Sequence, residues 1–130
     1  METPRPSKKV ECFEDLVIWQ KAVDFASEIY ALTDEAALRT DFGLKDQLRK
    51  AAVSISANIA EGFERRSRSE YLNFLNIAKG SSGEVRSLLE VANRVGHLDD
   101  ARLKALRESS KFLSGSIANH MKSIAAAASR

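Results

Sequence analysis

The sequence predicts an all-α domain, an antiparallel up-and-down four-helix bundle, and three observations carry that prediction. Both prolines, Pro4 and Pro6, lie within the first six residues, so the backbone from Ser7 onward keeps every amide donor. Apolar residues recur at intervals of three and four through four stretches of similar length. Gly43, Gly62 and Gly96 fall between those stretches, where the helices of a bundle with short connections turn back. At 130 residues, 44% hydrophobic and 29% charged, the chain suits one core and leaves no room for a second domain. The expected organisation is a flexible N-terminal tail over residues 1–12 and a single bundle over residues 13–127.

The first helix is expected from about Asp15 to Thr33. One row there is Leu16, Trp19, Val23, Ala26 and Tyr30; a second is Ile18, Ala22, Phe25, Ile29 and Leu32. Lys21, Asp24 and Glu28 take the opposite side, which makes the outer surface acidic. Asp34 to Phe42 reads as a polar, turn-like linker in which Ala36, Ala37 and Leu38 can form a helical turn. The second helix, about Leu44 to Glu61, repeats Leu48, Ala52, Ile55, Ile59 and Phe63 among small residues that permit close helix contact, with Gly62 as its stop.

The third helix opens on Ser67-Arg68-Ser69-Glu70, a capping-box pattern, and runs to Val95 before Gly96. Its core row is Tyr71, Phe74, Ala78, Val85, Leu88 or Leu89, Ala92 and Val95. Gly80 and Gly83 lie inside it at about 1 kcal/mol each relative to Ala, a cost that a close backbone crossing near Gly80, Ser81 and Gly83 would offset. The fourth helix starts with Asp99 or Asp100 as N-cap and carries Leu103, Leu106, Leu113, Ile117, Met121 and Ile124.

Catalytic and metal patterns are missing. Cys12 is the only cysteine, which excludes an internal disulfide and a multi-cysteine metal site and fits a reducing cytoplasm. A bundle di-iron site needs Glu three residues before His, but Arg94 precedes His97 and Ile117 precedes His120 at that spacing. No arginine stands four to six residues before either histidine, as phosphodiester-cleaving helical domains would need. Gly80-Ser81-Ser82-Gly83 is not a nucleophile elbow, and no phosphate-binding Gly-rich loop occurs. No membrane span and no signal peptide is expected. The expectation is a protein that is not an enzyme, with no cofactor and no metal.

Charge is unevenly placed. The total is +2, yet residues 13–46 hold eight acids (Glu14, Asp15, Asp24, Glu28, Asp34, Glu35, Asp41, Asp46) against Lys21, Arg39 and Lys45. Residues 101–130 hold Arg102, Lys104, Arg107, Lys111, Lys122 and Arg130 against Glu108 alone. Lys104, Arg107, Lys111 and Lys122 share one stripe of the fourth helix, a geometry that suits a row of phosphates. Arg65, Arg66 and Arg68 cluster beside a helix N-terminus, where the backbone also favours an anion, with Phe63 and Tyr71 nearby. Arg49 and Lys50 are second-tier candidates. The same runs also read as solvated faces, or as surfaces on which basic helix four docks onto acidic helix one of another subunit. Asn58 reads as a hydrogen-bonded structural residue, His97 as a capping or surface residue, and His120 as standing at the border of the core.

Several segments together resemble a known family. Phe13-Glu14-Asp15-Leu16-Val17-Ile18-Trp19-Gln20-Lys21-Ala22, Phe42-Gly43-Leu44, Gln47-Leu48-Arg49-Lys50-Ala51-Ala52-Val53-Ser54-Ile55, Asn58-Ile59-Ala60-Glu61-Gly62 and Ser69-Glu70-Tyr71 are similar to the small four-helix bundle proteins encoded in intervening sequences of bacterial large-subunit ribosomal RNA genes. The resemblance covers about residues 13–120. It departs at Ser56 and Ala57, where the family usually has Pro followed by Ser, and at Ala36-Ala37-Leu38-Arg39, where it usually has Phe-Pro. It implies a homo-oligomeric ring, commonly a pentamer, with no enzymatic activity and with nucleic-acid binding as the leading function. It also includes an accessory protein of diversity-generating retroelements, which makes a reverse transcriptase an implied partner. The expected function is therefore binding of nucleic acid, RNA ahead of DNA, through Arg65, Arg66, Arg68, Lys104, Arg107 and Lys111. A protein-protein scaffold without a nucleic-acid ligand is the alternative.

Overall fold

A computed structural model describes residues 9–128 of the chain, and those residues form five helices and no strand. The first eight residues of the expected N-terminal tail lie outside the described residues. A short 3-10 turn, Phe13–Asp15, precedes α1 (Val17–Thr33), α2 (Ala36–Thr40), α3 (Phe42–Phe63), α4 (Arg68–Arg94) and α5 (Asp100–Ala128). The four long helices were all expected. The fifth, α2, is the turn-forming capacity of Ala36 to Leu38 realised, and it tucks Leu38 into the core at 1% exposure.

In α1 the second row is the buried one. Ile18, Ala22, Phe25, Ile29 and Leu32 all face inward, whereas Tyr30 of the first row is exposed. Leu48, Ile55 and Ile59 of α3, Leu75, Val85 and Leu89 of α4, and Leu113 and Ile117 of α5 meet them in one core. Val95, expected in that core, is 56% exposed because α4 ends one residue before it. The long helices close a cycle: α1 packs on α3, α3 on α4, α4 on α5 and α5 on α1. Gly62 beside Tyr71 and Ser54 beside Ser81 align α3 and α4 antiparallel. Tyr71 with His120 and Ser82 with Ser110 do the same for α4 and α5, as do Lys21 with Phe112 and Glu35 with Arg102 for α1 and α5.

The helix ends follow local chemistry. Asp41, Ser67 and Asp99 accept hydrogen bonds from the amides of Leu44, Glu70 and Arg102 at 3.2, 3.1 and 2.7 Å, each satisfying a donor left open in a first turn. Gly96, at φ +84°, closes α4: the His97 amide donates to the Ala92 carbonyl and the Gly96 amide to that of Asn93. Gly43 and Gly62, by contrast, are inside α3 and interrupt nothing. Arg49 ends α1, donating to the Thr33 hydroxyl at 2.8 Å, the Asp34 carboxylate at 2.9 Å and the Tyr30 carbonyl at 3.4 Å.

At Gly62, α3 and α4 approach too closely for a side chain. A Cβ at Gly62 would stand 2.6 Å from Cβ of Phe74 and 3.0 Å from the Tyr71 ring. Of the crossing expected near Gly80, Ser81 and Gly83, Ser81 does meet Ser54 of α3 at 2.9 Å, but the glycines themselves make no close approach: Gly80 has open space around its Cβ position and Gly83 meets only the far end of Arg86. The close approach of α4 to α5 lies instead at Ser82, whose hydroxyl contacts the Ser110 hydroxyl at 2.7 Å and donates to its carbonyl at 3.1 Å. Ser114 and Arg86 complete the cluster, and no buried side-chain nitrogen or oxygen among the described residues lacks a partner.

These two environments give opposite signs for the same substitution. Gly62→Ala forces Phe74 aside and is expected to cost about 1–3 kcal/mol. Gly80→Ala adds only helix propensity on an open surface and is expected to stabilise by about 1 kcal/mol. Urea denaturation monitored by circular dichroism reads both; equal effects at the two positions would contradict the packing described.

Candidate functional site

The fourth-helix stripe lies beside a cleft of about 500 Å³ between α4 and α5. Lys104, Arg107 and Lys111 line it from α5, and Arg94 joins them from α4. Arg107 is held in an ion pair with Glu90. Lys104 and Lys111 are exposed and have no ion-pair partner among the described residues. Seven residues separate them, about 10 Å along the helix. Asp100 and Glu108 also line the cleft, and Asp100 accepts a hydrogen bond from the Asn93 amide nitrogen at 2.8 Å. Lys122 stands about 16 Å further along α5 and belongs to the other end of the molecule.

That other end carries the arginine cluster. Arg65, Arg66 and Arg68 are exposed around the start of α4. Arg65 pairs with Glu61 at 2.9 Å and lies over the Phe74 ring at 4.9 Å. Arg68 reaches the Ala127 carbonyl at 3.3 Å, so its charge rests on the negative end of α5. Ala127 is sixteen residues beyond Lys111, which sets the two basic clusters about 24 Å apart along the molecule. The six residues singled out from sequence therefore form two sites, and only a ligand that runs along the helices can touch both. Phe63 and Tyr71, considered as stacking residues, pack on each other edge to face at 6.0 Å.

Tyr71, buried at the edge of the core, pairs with half-buried His120 beside the arginines, Oη to Nε2 at 2.7 Å. Burial pushes the Tyr71 phenol up to about 12 and lowers the His120 imidazole below its usual 6.5. Both shifts favour a neutral pair, in which the phenol donates to the imidazole nitrogen. His97, the other histidine, bonds Asp41 at 3.1 Å and ties the α4 to α5 turn to the start of α3. Asn58 donates to the Ser54 carbonyl at 2.8 Å, a structural role. Arg49 is occupied in ending α1, which leaves Lys50 as the exposed member of the second-tier pair. The exposed Cys12 thiol has its pKa raised by its hydrogen bond to Asp15, at 3.4 Å. Among the described residues no group of three or more His, Cys, Asp or Glu is placed to hold a metal ion, and no helix is long and apolar enough to cross a membrane.

Glu90, Asn93 and Arg94 are the cleft residues that periodicity did not single out. All three reach the site from α4 across a helix boundary, and only the antiparallel packing of α4 on α5 brings Glu90 within reach of the Arg107 side chain.

The Tyr71 and His120 pair makes stability depend on pH at both ends. As pH falls through 6.5 the unfolded chain takes a proton on His120 before the folded chain does, so stability is present above that value and lost below it. On the alkaline side the unfolded phenol ionises near 10.0 and the folded one near 12, so stability is lost as pH rises across that interval. The urea midpoint is expected to fall between about pH 7.5 and about pH 5.5, and His120→Gln is expected to flatten that fall. An unchanged slope in the variant would remove His120 as its source.

The fold has solved counterparts. A 1.70 Å crystal structure of a protein of unknown function from the S23 ribosomal protein family of Bacteroides thetaiotaomicron VPI-5482 superposes with a TM-score of 0.70 and 24% identity, over 82% of this chain and 99% of that one. At that identity the likeness speaks for the fold alone. No curated protein matches the chain. The family model described as 23S rRNA-intervening sequence protein matches residues 14–119, nearly the whole of the five-helix unit. The chain belongs to the 23S rRNA-intervening sequence protein family.

Proposed function

We propose that this chain is a non-catalytic four-helix bundle that binds nucleic acid through its phosphates, structured RNA ahead of DNA, acting in the cytoplasm as a homo-oligomer. The observation that carries this reading is the pair of exposed lysines, Lys104 and Lys111, which have no ion-pair partner among the described residues and bracket a cleft that Arg94 and Arg107 also enter. Lysines held at a fixed spacing on a rigid helix can neutralise successive phosphates and release their counterions without reading bases. The cluster of Arg65, Arg66 and Arg68 gives an extended ligand a second foothold, with Arg66 the member that makes no hydrogen bond or ion pair among the described residues. Family membership supports assembly into a ring, of which a pentamer is the form the resemblance implies. A reverse transcriptase is the protein partner implied in the same way.

Absorbance of the purified protein at 260 nm, followed by sequencing of any nucleic acid that co-purifies, tests the ligand class directly. With a structured RNA as probe, affinity is expected to fall steeply with added salt. Replacing both Lys104 and Lys111 with Ala is expected to lower the slope of log affinity against log salt by about two, with little dependence on sequence. Unchanged affinity in that double variant would sink the cleft as the site. A protein free of nucleic acid that still assembles would favour the scaffold reading.

A further inference from the structure

The other flank of α5 has the opposite character. Between α1 and α5 runs a groove of about 520 Å³ that continues past Glu28 and Ala105 into a second opening of about 360 Å³. Its floor is apolar, with Phe25 and Leu113 buried beneath it, and the small side chains of Ala105 and Ser109 keep the α5 wall low. Asp24, Glu28 and Glu108 stand on its rim without an ion-pair partner among the described residues, whereas Asp34, Glu35, Asp41, Glu61 and Glu90 are all paired.

The two cations at the groove are already engaged. Lys21 lies over the Phe112 ring at 4.5 Å, and Arg102 is bound to Glu35 at 2.6 Å. The field left over is negative. Phe112 itself is 65% exposed at the mouth, an aromatic surface that Lys21 covers only in part.

We infer that this groove takes one amphipathic helix from a partner protein, with basic residues along its flanks and aliphatic anchors between them. A trough between two antiparallel helices matches a third helix laid along it, and Ala105 and Ser109, four residues apart, admit a close backbone. From Arg102 to Leu113 the groove is about 16 Å long, three helical turns. Lysines or arginines on the incoming flanks would meet Asp24 and Glu28 on one side and Glu108 on the other. A second copy of this chain is a poorer occupant, because α5, its most lysine-bearing late segment, spends Leu103, Leu106 and Leu113 on its own core. The ligand differs from that of the phosphate cleft, and apart from Glu108, which borders both, so do the residues, so the two proposals stand or fall separately.

The test titrates the full-length, nitrogen-15-labelled protein with a synthetic amphipathic helix of about fourteen residues, leucine-anchored and lysine-flanked, against the same peptide with glutamate flanks. The lysine peptide is expected to bind at least about tenfold tighter, with amide shifts confined to residues 21–28 and 102–113. Combining Asp24→Lys, Glu28→Lys and Glu108→Lys is expected to abolish that preference, and Phe112→Ala to weaken binding about threefold or more. Changing Lys104 and Lys111 to Ala should leave it unmoved. Equal binding of the two peptides, shifts elsewhere, or no binding by the unmodified protein would overturn the inference. So would a change in subunit number on charge reversal, which would mean that a second copy covers the groove. Should the triple variant not fold, the comparison of the two peptides on the unmodified protein decides.

Discussion

The spacing of α4 against its neighbours is the constraint on which the rest of the molecule depends. On one side Gly62 lets α3 approach until a methyl group no longer fits. On the other, Ser82 and Ser110 exchange hydroxyl-to-carbonyl bonds, each donating to the other's backbone. Both contacts replace bulk with proximity, and helices held this close have little freedom to slide. The cost of burying hydroxyls is met because every member of the cluster has a partner. Register follows from it: with Ser82 opposite Ser110, Tyr71 falls opposite His120, and Glu90 comes within reach of the long Arg107 side chain.

Helix boundaries and the core were largely legible because they depend on local chemistry. Ser67, Asp99 and Gly96 act at the ends where their side chains or conformational freedom are useful, and the rows of α3 and α5 are buried as their periodicity requires except at their C-terminal members, Phe63, Met121 and Ile124, which are partly buried. Glycines were legible only in part. Gly96 is a true terminator, but Gly62 serves contact between helices and Gly80 serves neither, a distinction that depends on what lies opposite in space. The two apolar rows of α1 posed the same difficulty, since both have helical spacing and only the positions of α3 and α5 select the row with Ile29.

The basic clusters were legible as residues but not as sites. Their sequence separation says nothing of the roughly 24 Å between them, which follows from Arg68 lying level with the last turn of α5. Nor does sequence reveal which cations are occupied. Arg49 looks like its neighbour Lys50 yet is committed to the end of α1, and Arg107 looks like Lys104 yet is bound to Glu90. Burial of the free charges was never in question; what the fold decides is which charges remain free.

The opposed flanks of α5 have a consequence for linkage. A single helix about 10 Å across divides a basic cleft from an acidic groove, a distance close to the screening length of roughly 8 Å in physiological salt. A polyanion bound on one flank and a polycation on the other would still attract through the protein, where screening is weaker than in water. Each would then raise the affinity for the other by the same factor, as thermodynamic reciprocity demands, without any helix having to move. Such coupling would fade with added salt, and α5 would act as the partition across which two oppositely charged ligands sense each other.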